Sequence, residues 1–136
     1  MPATLKLEIV TPEGIIFSDD VDMVTIPAIE GEMGIYPMHT PLMTQIVVGE
    51  LKIQKGGKEI FMAVGEGFVE ITNDRVSILT DMAIEAKDID EARVEEARRK
   101  AEARLREKVS DEEAAALQAT IARALTQIEL KKKYRK

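Results

Sequence analysis

The chain has 136 residues and a formal net charge of −6, with 45% apolar and 32% charged side chains. It has no cysteine and a single histidine, which excludes disulfides, thiolate chemistry and multi-histidine metal sites. No apolar run reaches the roughly 18–20 residues of a membrane span, and "MPATLKLEIV" lacks the layout of a secretory signal.

In chain order, "LKLEIV" alternates over Leu5, Leu7 and Ile9 and predicts a first strand. "VDMVTI" (21–26) predicts a second. "GEMGIYPMHTPL" (31–42) reads as a stiff loop. Gly31 and Gly34 permit a sharp path, Pro37 and Pro41 restrict φ, and Met33 and Met38 offer adaptable exposed apolar contact. "ELKIQ" and "KEIFMAV" flank Lys55-Gly56-Gly57-Lys58, where the glycines supply the positive φ of a tight hairpin. "FVEI" and "RVSIL" flank "TNDR", a second hairpin signal, and "MAIEA" predicts a last strand. Short strands at this spacing predict an antiparallel sandwich or flattened barrel.

After Lys87 every glycine and proline is gone, and Ala, Glu, Arg and Lys dominate. Asp88, with Glu91 three residues on, predicts an N-cap. Ile89, Ala97, Ala101, Leu105 and Val109 form a thin stripe. Ser110 with Glu113 predicts a second cap, followed by a stripe of Leu117, Ile121, Leu125 and Ile128. The short break at 108–111 predicts two antiparallel helices. The fold class is therefore α+β: a β-sandwich domain over 1–87 and a helical hairpin domain over 88–136. Burying alanine yields much less than the roughly 1.5–3 kcal/mol of a Leu or Ile, so the hairpin is weakly held by its own contacts. That predicts an element that docks elsewhere or exchanges partners.

The charge is divided as well. Residues 1–87 carry 6 Lys/Arg against 14 Asp/Glu; residues 88–136 carry 13 against 11. The acidic first part argues against a nucleic-acid surface. The closing "KKKYRK" reads as a solubilising tail.

His39 has two readings, a general base or a polar contact in a shaped loop. No nucleophile elbow, phosphate-binding loop, dinucleotide fingerprint or calcium loop accompanies it, which favours contact over catalysis. Asp90 and Arg93 stand three apart on one helix face, and an antiparallel hairpin brings Arg93 toward Arg123 as a small anion site. Ordinary intrahelical ion pairing is the competing reading, each pair being worth about 0.2–0.5 kcal/mol.

Taken together, "VTPEG", "GEMGIYPMHTPL", "GEGFVEI" and "DIDEAR", in this order over the whole chain, resemble the bacterial F-type ATP synthase epsilon subunit family. The resemblance implies a ten-stranded β-sandwich followed by a two-helix hairpin, in a subunit with no active site, no metal and no required cofactor. It implies a rotor role in the central stalk, on the cytoplasmic face of the bacterial inner membrane without membrane insertion. The implied partners are the gamma subunit, the ring of c subunits and, with the hairpin extended, the alpha/beta catalytic head. The sandwich would couple proton flow to synthesis, and the extended hairpin would block ATP hydrolysis. The resemblance also implies c-ring contacts at Gly31, Glu32, Met33, Gly34 and His39. Regulatory ATP would bind at Ile89, Asp90, Arg93 and Arg123. Val94 and Gln127 stand where strong binders carry alanine and arginine, so that binding is expected to be weak. The alternative from another class is a free-standing ATP-sensing module.

Overall fold

The computed structural model describes residues 3–134. Ten strands precede two helices: β1 (Leu5–Thr11), β2 (Gly14–Val21), β3 (Met23–Ala28), β4 (Gly31–Ile35), β5 (Leu42–Ile46), β6 (Gly49–Lys55), β7 (Lys58–Val64), β8 (Gly67–Ile71), β9 (Arg75–Thr80) and β10 (Ala83–Glu85). A 3₁₀ turn, Ala86–Asp88, leads into α1 (Glu91–Leu105) and α2 (Asp111–Tyr134).

The strands pair in the order β10-β7-β6-β3-β5-β8-β9-β1-β2, with β4 on β3. The sheet folds over one apolar core. Leu5, Leu7 and Ile9 of β1 meet Val24 and Ile26 of β3, Leu51 and Ile53 of β6, and Val76 and Ile78 of β9. Each set sits at alternate positions, as a half-buried strand demands. Lys55 pairs with Asp19, and Asp22 accepts the Gly56 N–H at 2.8 Å, tying β2 to the β6–β7 turn. That turn has Gly56 at φ 57° and Gly57 at φ 80°, both positive as a two-residue hairpin requires.

Several sequence expectations change here. "VDMVTI" is not one strand: β2 ends at Val21 and β3 begins at Met23. β2 escaped notice because it is an edge strand exposed along most of its length, with a bulge opposite Ile9/Val10. The sandwich is antiparallel except that β1 runs parallel to β9. "GEMGIYPMHTPL" is not all loop. Gly31–Ile35 forms β4 against β3, and Met33 packs on the core rather than lying exposed.

In the hairpin, Asp90 rather than Asp88 caps α1, accepting the Arg93 N–H at 3.1 Å; Asp88 ends the 3₁₀ turn. Ser110 caps α2 as expected, accepting the Glu113 N–H at 3.1 Å. The Glu113 carboxylate instead takes two bonds from Arg104 across the hairpin, at 2.8 and 3.1 Å. That guanidinium holds the Glu113 carboxyl below its ordinary value. Ala101 is the one fully buried residue of α1, and Ala97 is exposed. On α2, Leu125 turns outward while Ala124, Ile128 and Leu130 are buried. Of the expected stripe Ile128 is buried and Leu117 and Ile121 are half-buried; Leu125 departs from it because α2 serves two surfaces. One faces α1; the other, through Leu130, docks on Ala63 of β7 and Ile89. The hairpin thus lies folded against β7, β6 and the 3₁₀ turn. Lys131–Tyr134 extend α2 rather than forming a tail, and Arg135 and Lys136 lie outside the described residues.

Candidate functional site

A cleft of about 460 Å³ opens where the β9–β10 turn, α1 and α2 converge. Its wall includes Asp81, Asp88, Asp90, Arg93, Val94, Thr120, Arg123 and Gln127. That volume falls within the few-hundred to 1,000 Å³ range of small-molecule sites. Three of the four residues expected for nucleotide meet here. Ile89 does not line the wall; it is 3% exposed and packs with Ala63 and Leu130 beneath the helices.

Asp90, Arg123 and Gln127 already have partners. The Asp90 carboxylate caps α1. Arg123 reaches the Asp81 carboxylate at 3.4 Å through Nη1 and Thr120 Oγ1 at 3.3 Å through Nη2. Gln127 Nε2 lies 2.9 Å from the Met82 sulfur. Three carboxylates, those of Asp81, Asp88 and Asp90, face two guanidiniums, those of Arg93 and Arg123. Carboxylates lining the same cleft oppose a polyanion, and Arg123, 3.4 Å from Asp81, must leave it to meet a phosphate. Arg98 and Arg104 do not line the cleft; Arg98 is taken by Glu95 and Glu102, and Arg104 by Glu113 and Glu107.

Asp81, Met82 and Thr120 were not legible as site residues. Asp81 reaches the cleft because Gly65 leaves room: a β carbon there would lie 1.8 Å from Asp81 Oδ1. The glycine pair of "GEGF" was the available signal, since a glycine at a strand or its end marks close approach; Gly65 sits just after β7.

The loop block divides into two places. Gly31, Glu32, Met33 and Gly34 lie on β4, next to the β3–β4 turn where Ile29 is 54% exposed. His39 lies beyond the other end of β4, beside the β8–β9 turn. There the Met38 N–H donates to the Asn73 carbonyl at 2.9 Å. Met38 is 79% exposed at φ 68°, a left-handed conformation uncommon outside glycine and costly to hold. His39 Nδ1 donates to the Thr40 carbonyl at 2.6 Å, which places its proton on Nδ1. Among the described residues no other side-chain bond of His39 is formed.

The sequence reading missed an apolar row on the sandwich's other outer face. Phe68 pairs with Leu79 on β8–β9, Leu79 with Val10 on β9–β1, and Val10 with Ile15 on β1–β2. Phe68 is 57%, Leu79 60% and Ile15 65% exposed. Met43 continues the exposed apolar surface on β5. Glu8, Glu66 and Glu70 flank it on the same strands or turns. Four adjacent strands with apolar groups in register make a contact surface of the kind that partners cover.

Two family models match the chain. The ATP synthase delta/epsilon chain β-sandwich domain covers residues 4–86, and the delta/epsilon chain long α-helix domain covers residues 87–132. The ATP synthase epsilon chain of Dehalococcoides mccartyi is 46% identical over 135 residues, 98% of this chain and 96% of the relative. That of Chloroflexus aggregans is 50% identical over 97 residues, 71% and 70% of the two chains. The fold is similar to a chain of the Euglena gracilis mitochondrial ATP synthase OSCP/F1/c-ring assembly, with TM-score 0.72, 24% identity, and 90% and 78% of the two chains covered. A chain of the Tetrahymena thermophila mitochondrial central stalk/c-ring gives TM-score 0.60 at 13% identity. At those identities the two structures speak for the fold alone. With the two domain models matching residues 4–86 and 87–132, and 46% identity over 96% of a relative's length, the chain belongs to the ATP synthase delta/epsilon chain family.

Proposed function

We propose that the chain is the epsilon-type, non-catalytic rotor subunit of a bacterial proton-translocating ATP synthase, working at the cytoplasmic face of the inner membrane. The observation that carries this reading is the division of the sandwich into unlike outer faces. One is covered by a hairpin held through few buried side chains; the other leaves the apolar row from Phe68 to Ile15 open. The open row is the seat of the gamma subunit. Gly31, Glu32, Met33 and Gly34, with the exposed Ile29, meet the c-ring, and His39 with the strained Met38 makes a separate polar contact. The sandwich, 1–87, transmits torque between them. The hairpin, 88–136, leaves its docking face, extends along gamma toward the alpha/beta head and restrains hydrolysis.

A ligand that fits only the docked hairpin opposes release by linkage. ATP at Asp90, Arg93 and Arg123, over Ile89, is that ligand, bound weakly because Asp81 competes for Arg123 and Gln127 brings no charge. The test is reconstitution of the enzyme with the whole chain, without it, and with a chain ending at Lys87. Proton-driven synthesis is expected to need residues 1–87, and hydrolysis to rise without the hairpin. Synthesis unchanged without the chain would refute the coupling role.

The converging arginines favour a second reading, a free-standing ATP sensor. Calorimetry of the isolated chain with MgATP separates the two. A micromolar affinity without any association with stalk subunits supports the sensor; no heat at millimolar nucleotide removes it.

A further inference from the structure

The last turn of α2 is held by contacts separate from the cleft. Tyr134 stacks on Phe61 with ring centroids 3.8 Å apart and planes 18° from parallel. Its hydroxyl donates to Glu50 Oε1 at 2.8 Å, and Lys133 Nζ donates to Oε2 of the same carboxylate at 3.3 Å. Lys131 Nζ donates to the Ala86 and Lys87 carbonyls at 3.2 and 3.3 Å. One helical turn thus grips the sandwich on one side and the entry to α1 on the other.

Phe61 and Glu50 sit on paired strands, opposite Lys52 and Ala63 respectively, so their half of the contact is fixed before α2 arrives. A stacked aromatic pair and a charge-assisted hydrogen bond are strong for a surface contact. They act where little else does, since Ala124, Ile128 and Leu130 are the fully buried residues of α2. The lysines of this turn also meet the negative end of the helix dipole and an acidic surface. The adjoining cavity is lined by Glu32, Glu50 and Glu59 with Lys52.

We propose that Tyr134, seated on Phe61 and Glu50, is a nucleotide-independent lock that sets the balance between docked and released hairpin. The lock rests on the reading of the hairpin as a mobile arm. Burial and the Glu50 bond hold the Tyr134 phenol above its ordinary value, which keeps it a donor at neutral pH. ATP in the cleft then adds to a docked state that the lock already favours.

The cysteine-free chain accepts two spin labels without background, through Asn73→Cys on the β8–β9 turn and Gln118→Cys on the exposed side of α2. Pulsed electron resonance on the full chain, without nucleotide, gives the released-to-docked ratio. Tyr134→Phe keeps the stack and loses the bond, and is expected to raise the ratio about threefold. Tyr134→Ala loses both and is expected to raise it about tenfold or more. Leu130→Asp, which puts a charge at the docking face, reports whether the arm can leave at all. Release by Leu130→Asp with no change in either Tyr134 variant overturns the lock and leaves the arm. No release by Leu130→Asp overturns both.

Discussion

Gly65 and Gly67 provide a matched pair of perturbations whose outcomes differ for a stated reason. A β carbon at Gly67 would lie 1.9 Å from the Leu79 carbonyl oxygen and 2.8 Å from Thr80 Cα. Both atoms belong to β9, where Thr80 pairs with Gly67 and Leu79 with Phe68. They cannot retreat without opening the β8–β9 ladder. Overpacking against fixed backbone costs about 3 kcal/mol, the upper part of the usual range. For a sandwich of this size each kcal/mol moves the midpoint by about 4–8 °C, so Gly67→Ala lowers Tm by roughly 12–24 °C. At Gly65 the obstacle is Asp81 Oδ1 at 1.8 Å, the far end of a rotatable side chain. Turning it costs about 1 kcal/mol, or roughly 4–8 °C, and pulls Asp81 away from Arg123. Thermal melts by circular dichroism on the full chain measure both. The two variants add the same methyl group, so their difference isolates backbone from side-chain obstruction. Equal shifts, or a Gly67→Ala midpoint within about 3 °C of the parent, would refute the reasoning.

Three further outcomes follow from the same geometry. Phe68→Asp places a charge in the middle of the open apolar row. It is expected to weaken gamma-subunit binding at least about 30-fold while leaving the circular dichroism spectrum unchanged, because Phe68 is not part of the core; binding measured against isolated gamma checks it. Gln127→Arg restores a guanidinium to the cleft and is expected to tighten MgATP binding about tenfold by calorimetry, with equal affinities counting against the site. In a Tyr36→Phe background, phenolate absorbance follows Tyr134 alone, and its titration is expected above the ordinary phenol value near 10, first from burial and then from Glu50. A phenol raised in the docked state contributes to docking in full below that ordinary value and ceases to as pH rises through the raised one, so the Tyr134 contribution to docking should be lost only in alkali. Titration at the free-tyrosine value would contradict the Glu50 contact.

The parts of the fold that the sequence made plain are those where one local signal decides. Gly56-Gly57 required positive φ and specified the β6–β7 turn. Ser110 offered an oxygen to an otherwise unpaired N–H and specified the start of α2. The misses occur where two demands compete. Asp88 and Asp90 both stand before the α1 run. Asp90 won because the 3₁₀ turn takes up Asp88, two residues before the cap position. Leu125 matched a single helical stripe, but α2 must face α1 and the sandwich together, and that shared duty moved Ala124 and Leu130 inward. The cleft was half legible for the same reason. Arg93 and Arg123 belong to helices whose spacing is readable, whereas Asp81 arrives from the sandwich, and no local pattern reports which distant turn a hairpin will rest on.

The residues that hold the hairpin down also explain why it should be able to leave. Its own closure relies on alanine and on the Arg104–Glu113 pair, which is solvent-accessible and travels with the hairpin whether docked or not. Nothing inside the hairpin therefore opposes release. Opposition comes from Leu130 on Ala63, from Arg123 on Asp81 and from Tyr134 on Phe61 and Glu50, with the weaker polar contacts of Gln127, Lys131 and Lys133 beside them along α2. Exposed ion pairs contribute little, about 0–1 kcal/mol each, so the apolar and aromatic contacts carry most of the docking. On the other side of the balance, the core of the sandwich is built from residues of β1 to β9 and none from the helices. Release consequently exposes Ala63, Phe61 and the neighbouring Met82 and Ile84 without disturbing that core. A large hydrophobic seam between sandwich and hairpin would oppose the proposed release; a small one, with polar contacts that water can replace, is what that release requires.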